Sequence, residues 1–182
     1  MSLFEFIMVL TSILIGLGIA ELLNGVVRTI RTDFKERYYV PQILWAVFLF
    51  LHLITLWWSR WDLRDTMQWN FFQLLLSLTA PVLIFILVSL LFAENVHARV
   101  HYFKHRVIFF TLLSLVLVVD ILHETIVEGT PFLSLDILIT ASILGMVVWC
   151  RFSKRTRVHV VGSAASLILL VLFVVYNSYL LH

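Results

Sequence analysis

The chain has 182 residues, 62% of them hydrophobic and 13% charged, with a formal net charge of +2. A soluble domain carries about 25% charged residues, so these charges are too few and too clustered to coat a water-soluble globule. The small net charge supports no nucleic-acid reading. The apolar runs exceed the ~10 residues of a barrel strand, which leaves an all-α, polytopic transmembrane bundle as the expected fold.

Read as a single transmembrane domain over residues 1–182, the chain divides into six spans. Each needs ~20 apolar residues to cross a bilayer. The first, about 3–30, lacks the basic leader of a secretory signal and outruns its ~7–15-residue apolar region, so it is expected to be retained. Thr11, Leu14, Gly18, Glu21, Gly25 and Arg28 alternate steps of three and four along it and share one face. Asn24 stands beside that face, between Glu21 and Arg28. Seven residues separate Glu21 from Arg28, roughly 10 Å of helix, which reads as too far for a good pair within one helix. Glu21 then needs a basic group on a neighbouring helix, or an ion. Ser12, Gly16, Gly18, Ala20 and Gly25 are small enough to admit a second helix, and self-association through this span is expected.

The second span, about 40–58, opens on Pro41, where a missing N–H costs nothing. It holds His52 near its middle, with Thr55 one turn on. The third, about 69–93, carries Pro81 in its interior. That proline frees the Ser77 carbonyl, for which the Ser77 and Thr79 hydroxyls are local candidates. His97, His101 and His105 follow at steps of four after Glu94. A continuous helix would align them as a metal-binding stripe, but the chain is expected to turn back here, leaving a basic, hydrated connection.

The fourth span, about 107–127, places Asp120, His123 and Glu124 on adjacent parts of one face, with Glu128 a further turn out. Glu124 and Glu128 read as a helix end emerging into water. Asp136 opens the fifth span, about 131–150, after a Gly-Thr-Pro turn and is expected close to Asp120. The sixth span is about 158–181. Carboxylate plus imidazole could hold a divalent metal, with His123, Asp120 and Glu124 as the candidate ligands. Haem is disfavoured. Only His52 and His123 are membrane-placed, and their depths differ by roughly 8 Å. The single cysteine, Cys150, excludes an intrachain disulfide and a CxxC motif.

Sidedness follows from the basic residues. Eleven of the thirteen fall in the first, third and fifth connections, leaving Arg60 and Arg64 on the other face. The basic loops are therefore expected to be cytoplasmic, and both termini outside, in a plasma or bacterial inner membrane. No filter sequence, voltage-sensor arginine repeat, P-loop or nucleophile elbow is present, and no nucleophile–base pair suggests an enzyme.

Ionisable groups inside a membrane are functional candidates by default, because each costs at least ~2.5–3.5 kcal/mol to place there. The leading expectation is a homo-oligomeric channel or transporter for a small cation or proton. Glu21, Asn24 and Arg28 would lie on its inner path, His52 at mid-membrane, and Asp120, His123 and Asp136 at its outer mouth. The alternatives are a helical binding or structural subunit of a larger membrane complex, and a metal- or haem-binding membrane redox protein.

Overall fold

The structure, a computed structural model, describes residues 3–31, 39–65, 70–92 and 97–180. The described residues form six long α-helices: α1 Leu3–Arg31, α2 Val40–Ser59, α3 Phe71–Leu91, α4 Ala98–Ile126, α5 Leu135–Phe152 and α6 Thr156–Leu180. A short 3-10 helix, Arg60–Asp65, extends α2. All six helices are long and apolar enough to cross a membrane.

Local chemistry sets most of the boundaries. Tyr39 is extended and Pro41 lies in the first turn of α2, where its fixed φ suits the helix. Asn70 caps α3 in a reciprocal box: its side chain accepts from the Gln73 N–H at 2.8 Å, and the Gln73 side chain accepts from the Asn70 N–H at 3.1 Å. At the end of α4, Gly129 takes φ 71°, which lets the Thr130 N–H reach back to the Glu124 carbonyl at 3.0 Å. The fifth span does not open on Pro131 as expected. Pro131 instead accepts from the Ser134 N–H in a turn, and Ser134 caps α5 by accepting from the Ile137 N–H at 3.3 Å.

The largest departure is the start of α4, nine residues before the expected Val107. Ala98, Tyr102 and Phe109 are buried at helical spacing, with Arg99, Lys104 and Arg106 between them. The segment is an amphipathic extension of the span, and its charged face masks its apolar one in the sequence. His101 and His105 therefore do share a continuous helix, α4 rather than α3, with ring centroids 4.6 Å apart. The expected turn before His105 is not there.

The helices close a ring in the order α1, α3, α4, α5, α6, α2, and α2 also touches α3. Trp45, Phe48, Leu49 and Leu53 of α2 are fully buried and meet Ile84 and Leu87 of α3 and Phe110 and Leu113 of α4 in one core. Trp45 stands edge-on to Phe48 and Phe110 at 5.3 and 5.6 Å. Gly18 and Gly25 belong to this packing. A methyl at Gly18 would press on Leu53, and one at Gly25 would overlap the Phe92 ring. Ser12, Gly16 and Ala20 instead face outward.

Cross-helix hydrogen bonds fix the two ends of the bundle. At one end Gln42 donates to the Leu91 carbonyl at 2.8 Å, and Tyr102 meets His159 at 3.0 Å. At the other, Arg60 meets His123, and Asn177 donates to Asp136 at 3.3 Å. Neighbouring helices in chain order thus alternate in direction.

Candidate functional site

At the Arg60 end, α2, α4, α5 and α6 part to leave a cavity of about 500 Å³. Each helix lines it with residues three or four apart. Phe48, His52 and Thr55 come from α2, and Leu117, Asp120 and Glu124 from α4. Asp136, Thr140 and Ile143 come from α5, and Leu170, Phe173 and Asn177 from α6. The floor is buried at His52 and Asp120, and the cavity reaches the surface near Glu128.

Two polar nodes stand in it. In the first, His52 Nε2 lies 3.0 Å from Asp120 Oδ2, across from α2 to α4. The residues are 8% and 6% exposed, so the pair is nearly dry. The His52 ring also stacks on Phe48 at 5.7 Å, which holds it toward α4.

The second node centres on His123, which is 3% exposed. Its Nδ1 lies 3.2 Å from Glu128 Oε1, and its Nε2 lies 2.9 Å from the Ser77 hydroxyl. Arg60 Nη1 approaches both ring nitrogens. A guanidinium can only donate. Nδ1–H donation to Glu128 therefore leaves Nε2 to accept. Arg60 Nη2 also reaches the Ser77 carbonyl at 3.5 Å, the very carbonyl that Pro81 frees. The expected local donors are used elsewhere: Thr79 donates to Leu75 at 2.8 Å, and Ser77 lies within 2.8 Å of the Gln73 carbonyl. Burial pulls the Arg60 pKa below its ordinary value, and the nearby carboxylates of Glu128, Asp120 and Glu124 push it back up.

Asp120 Oδ1 and Glu124 Oε2 are buried without a hydrogen-bond partner among the described residues. They sit one turn apart on α4. Orphaned acceptors of this kind carry their full desolvation cost.

The structure thus gathers His52, Asp120, His123 and Asp136 at one cavity, as well as Glu124. It leaves Glu21, Asn24 and Arg28 apart, toward the other end of α1. Asn24 faces outward, and Arg28 Nη2 pairs with Glu21 Oε1 at 3.0 Å within the same helix. The expectation that this pair is too far apart is wrong. Two long side chains reaching toward each other span the two turns between them. No group of three or more His, Cys, Asp or Glu among the described residues is placed to hold a metal ion. His123, Asp120 and Glu124 line the cavity without forming such a group.

Arg60, Thr140 and Asn177 line the cavity although sequence reasoning does not single them out as site residues. In the sequence Arg60 is only one of two basic residues on the less basic face, yet in the fold it is 3% exposed. A signal for it is present: a carbonyl freed by Pro81 needs a donor from somewhere.

These features define the class: an all-helical bundle of six helices with the length and apolarity of membrane spans, carrying at one end a cavity that sets buried polar groups in a largely apolar wall. No known protein family, curated protein or solved structure matches the chain.

Proposed function

We propose that the protein is an integral membrane protein that binds a small cation in this cavity during passage across the bilayer. Its basic connections would be cytoplasmic and its Arg60 end outside. The basic-residue bias supports that sidedness.

One observation carries the functional reading. The cavity is lined by Asp120, Glu124, Glu128 and Asp136 against a single guanidinium, Arg60. Four carboxyls face three basic groups, Arg60, His52 and His123, so the lining holds surplus negative charge when all four carboxyls are ionised. Charge placed in a low-dielectric site is costly unless matched, and a bound cation would supply the match. Glu21, Asn24 and Arg28 do not line the cavity and are not part of the proposed site.

Reconstituted protein on a solid-supported membrane should give a charging current when sodium, protons or an organic ammonium is raised on the Arg60 side. Asp120→Asn and Glu124→Gln should each cut that current at least tenfold. No current from any protein, or the same current from all three, sinks the proposal.

A further inference from the structure

The cavity's size and walls say more about its occupant than its charge does. We infer, resting on the proposal that the cavity binds a cation, that the ligand is an organic ammonium with a compact apolar body, and not a bare metal ion. A cavity of about 500 Å³ lies within the ~300–1,000 Å³ range of small-molecule sites and far above the ~30 Å³ that one water occupies in the liquid. A bare cation would leave most of it to be filled by water against an apolar wall.

The acidic groups are also dispersed in a way that a metal would not favour. Asp120 is held by His52, Glu128 by His123 and Asp136 by Asn177. No three of the described His, Cys, Asp or Glu side chains converge as ligands. A metal ion wants several oxygens at ~2.0–2.6 Å around one point. An ammonium needs one strong counter-charge and a few acceptors. Asp120 provides this: one oxygen is fixed by His52, the other is buried with no partner, and the residue is 6% exposed at the cavity floor. Glu124, one turn away, has a second unpartnered oxygen.

The same cavity is also lined by Trp58, Phe173, Ile143 and Leu170. Aromatic faces attract a cation within ~6 Å, and the aliphatic residues bury a hydrocarbon body. Sodium, calcium or a proton would leave that surface without a role.

Thermal unfolding of the purified protein in detergent micelles tests the assignment. The probes are phenethylammonium, its uncharged isostere 3-phenylpropanol, sodium and calcium. Phenethylammonium should stabilise the wild type at concentrations at least tenfold below those needed for the isostere. Asp120→Asn and, separately, Glu124→Gln should raise the phenethylammonium concentration required at least tenfold while leaving the isostere's unchanged. Each variant is first checked for an unaltered elution volume, and Glu124→Gln serves if Asp120→Asn does not fold. Asp120-dependent stabilisation by sodium or calcium but not by phenethylammonium overturns the ligand class and leaves the cation reading standing. Equal effects of phenethylammonium and the isostere, insensitive to both variants, overturn both.

Discussion

His52 Nε2 and Asp120 Oδ2 meet at 3.0 Å across the α2–α4 boundary, in a pair almost closed to solvent. α2 and α4 are not neighbours in the ring of helices, so this hydrogen bond links them through the interior. Removing one member of a buried pair costs ~3–5 kcal/mol in soluble proteins, chiefly from the stranded charge. Measured couplings between membrane helices average only about 0.6 kcal/mol and reach about 1.7. The dryness of this pair places it at the upper end. A cycle of His52→Phe, which keeps a ring on Phe48, and Asp120→Asn should give a coupling of about 1–2 kcal/mol. Unfolding by titrated SDS in mixed micelles reads it. Additive single effects would mean that the pair carries no stability.

Arg60 and Pro81 should be coupled although they act from different elements. Pro81 deprives the Ser77 carbonyl of its helical donor, and Arg60 Nη2 stands 3.5 Å from that carbonyl. Arg60→Met removes this donor and the one guanidinium that lines the cavity beside its carboxylates, with an expected cost of ~2–4 kcal/mol. Arg60→Lys should recover little, because a point charge cannot reach the carbonyl and His123 together. Pro81→Ala returns an N–H to the Ser77 carbonyl. In that background the Arg60→Met penalty should shrink by about 1 kcal/mol, the value of one hydrogen bond. An identical penalty in both backgrounds would show that Arg60 acts only through the imidazole and carboxylates.

The helices are legible in the sequence, and the parts that are not are hidden for different physical reasons. Span number and approximate position follow from apolar length alone, since the bilayer sets that length. That Asp136 and Asp120 line one cavity accords with the short turn between their helices. Three features are hidden, each for its own reason. Arg60 reads as surface until α3 and α4 close over it. Glu21 reads as needing a neighbouring helix when helical rise is counted without side-chain reach. The first turns of α4 read as a loop because averaging over a window merges the buried Ala98–Tyr102–Phe109 stripe with the charged face beside it. The cavity itself is beyond reach, since a gap between four helices is a property of packing that no single helix records.

The glycines of α1 separate intrachain packing from self-association. An added methyl at Gly25 would overlap the Phe92 ring at the end of α3, whereas at Gly16 it meets nothing within 4 Å. Gly25→Ala should therefore destabilise the chain by ~1–3 kcal/mol, the usual cost of overpacking. Gly16→Ala should leave a monomer unchanged, or stabilise it by up to ~1 kcal/mol through helix propensity. Gly16→Leu then probes the outward stripe of Ser12, Gly16 and Ala20. If copies of the chain pack there, crosslinking in native membranes should fall sharply with Gly16→Leu and not with Leu17→Phe, a change at an exposed position about a quarter-turn round the same helix. Unaltered crosslinking, or none in the parent, removes self-association through α1 from consideration.

Sidedness has a direct reading by thiol chemistry, because the chain has one cysteine and it is fully buried. Cys150 lies against the first turns of α6, 3.8 Å from the Val158 carbonyl. Burial slows reaction with a bulky reagent, since the exposed thiolate is the reactive form. Native protein in intact cells should thus give almost no labelling with a membrane-impermeant maleimide. Single cysteines placed at Arg64, beyond α2, and at Arg155, between α5 and α6, lie at opposite ends of the bundle. The concentration of basic residues at the end of the bundle where α1, α3 and α5 finish and α4 begins predicts that the Arg155 end is cytoplasmic. Arg64→Cys should label in intact cells, and Arg155→Cys only after the membrane is permeabilised. The reverse pattern would put the Arg60 cavity on the cytoplasmic side, turning the proposed uptake site into one that faces the cell interior. Labelling of both positions in intact cells would argue against a spanning bundle altogether.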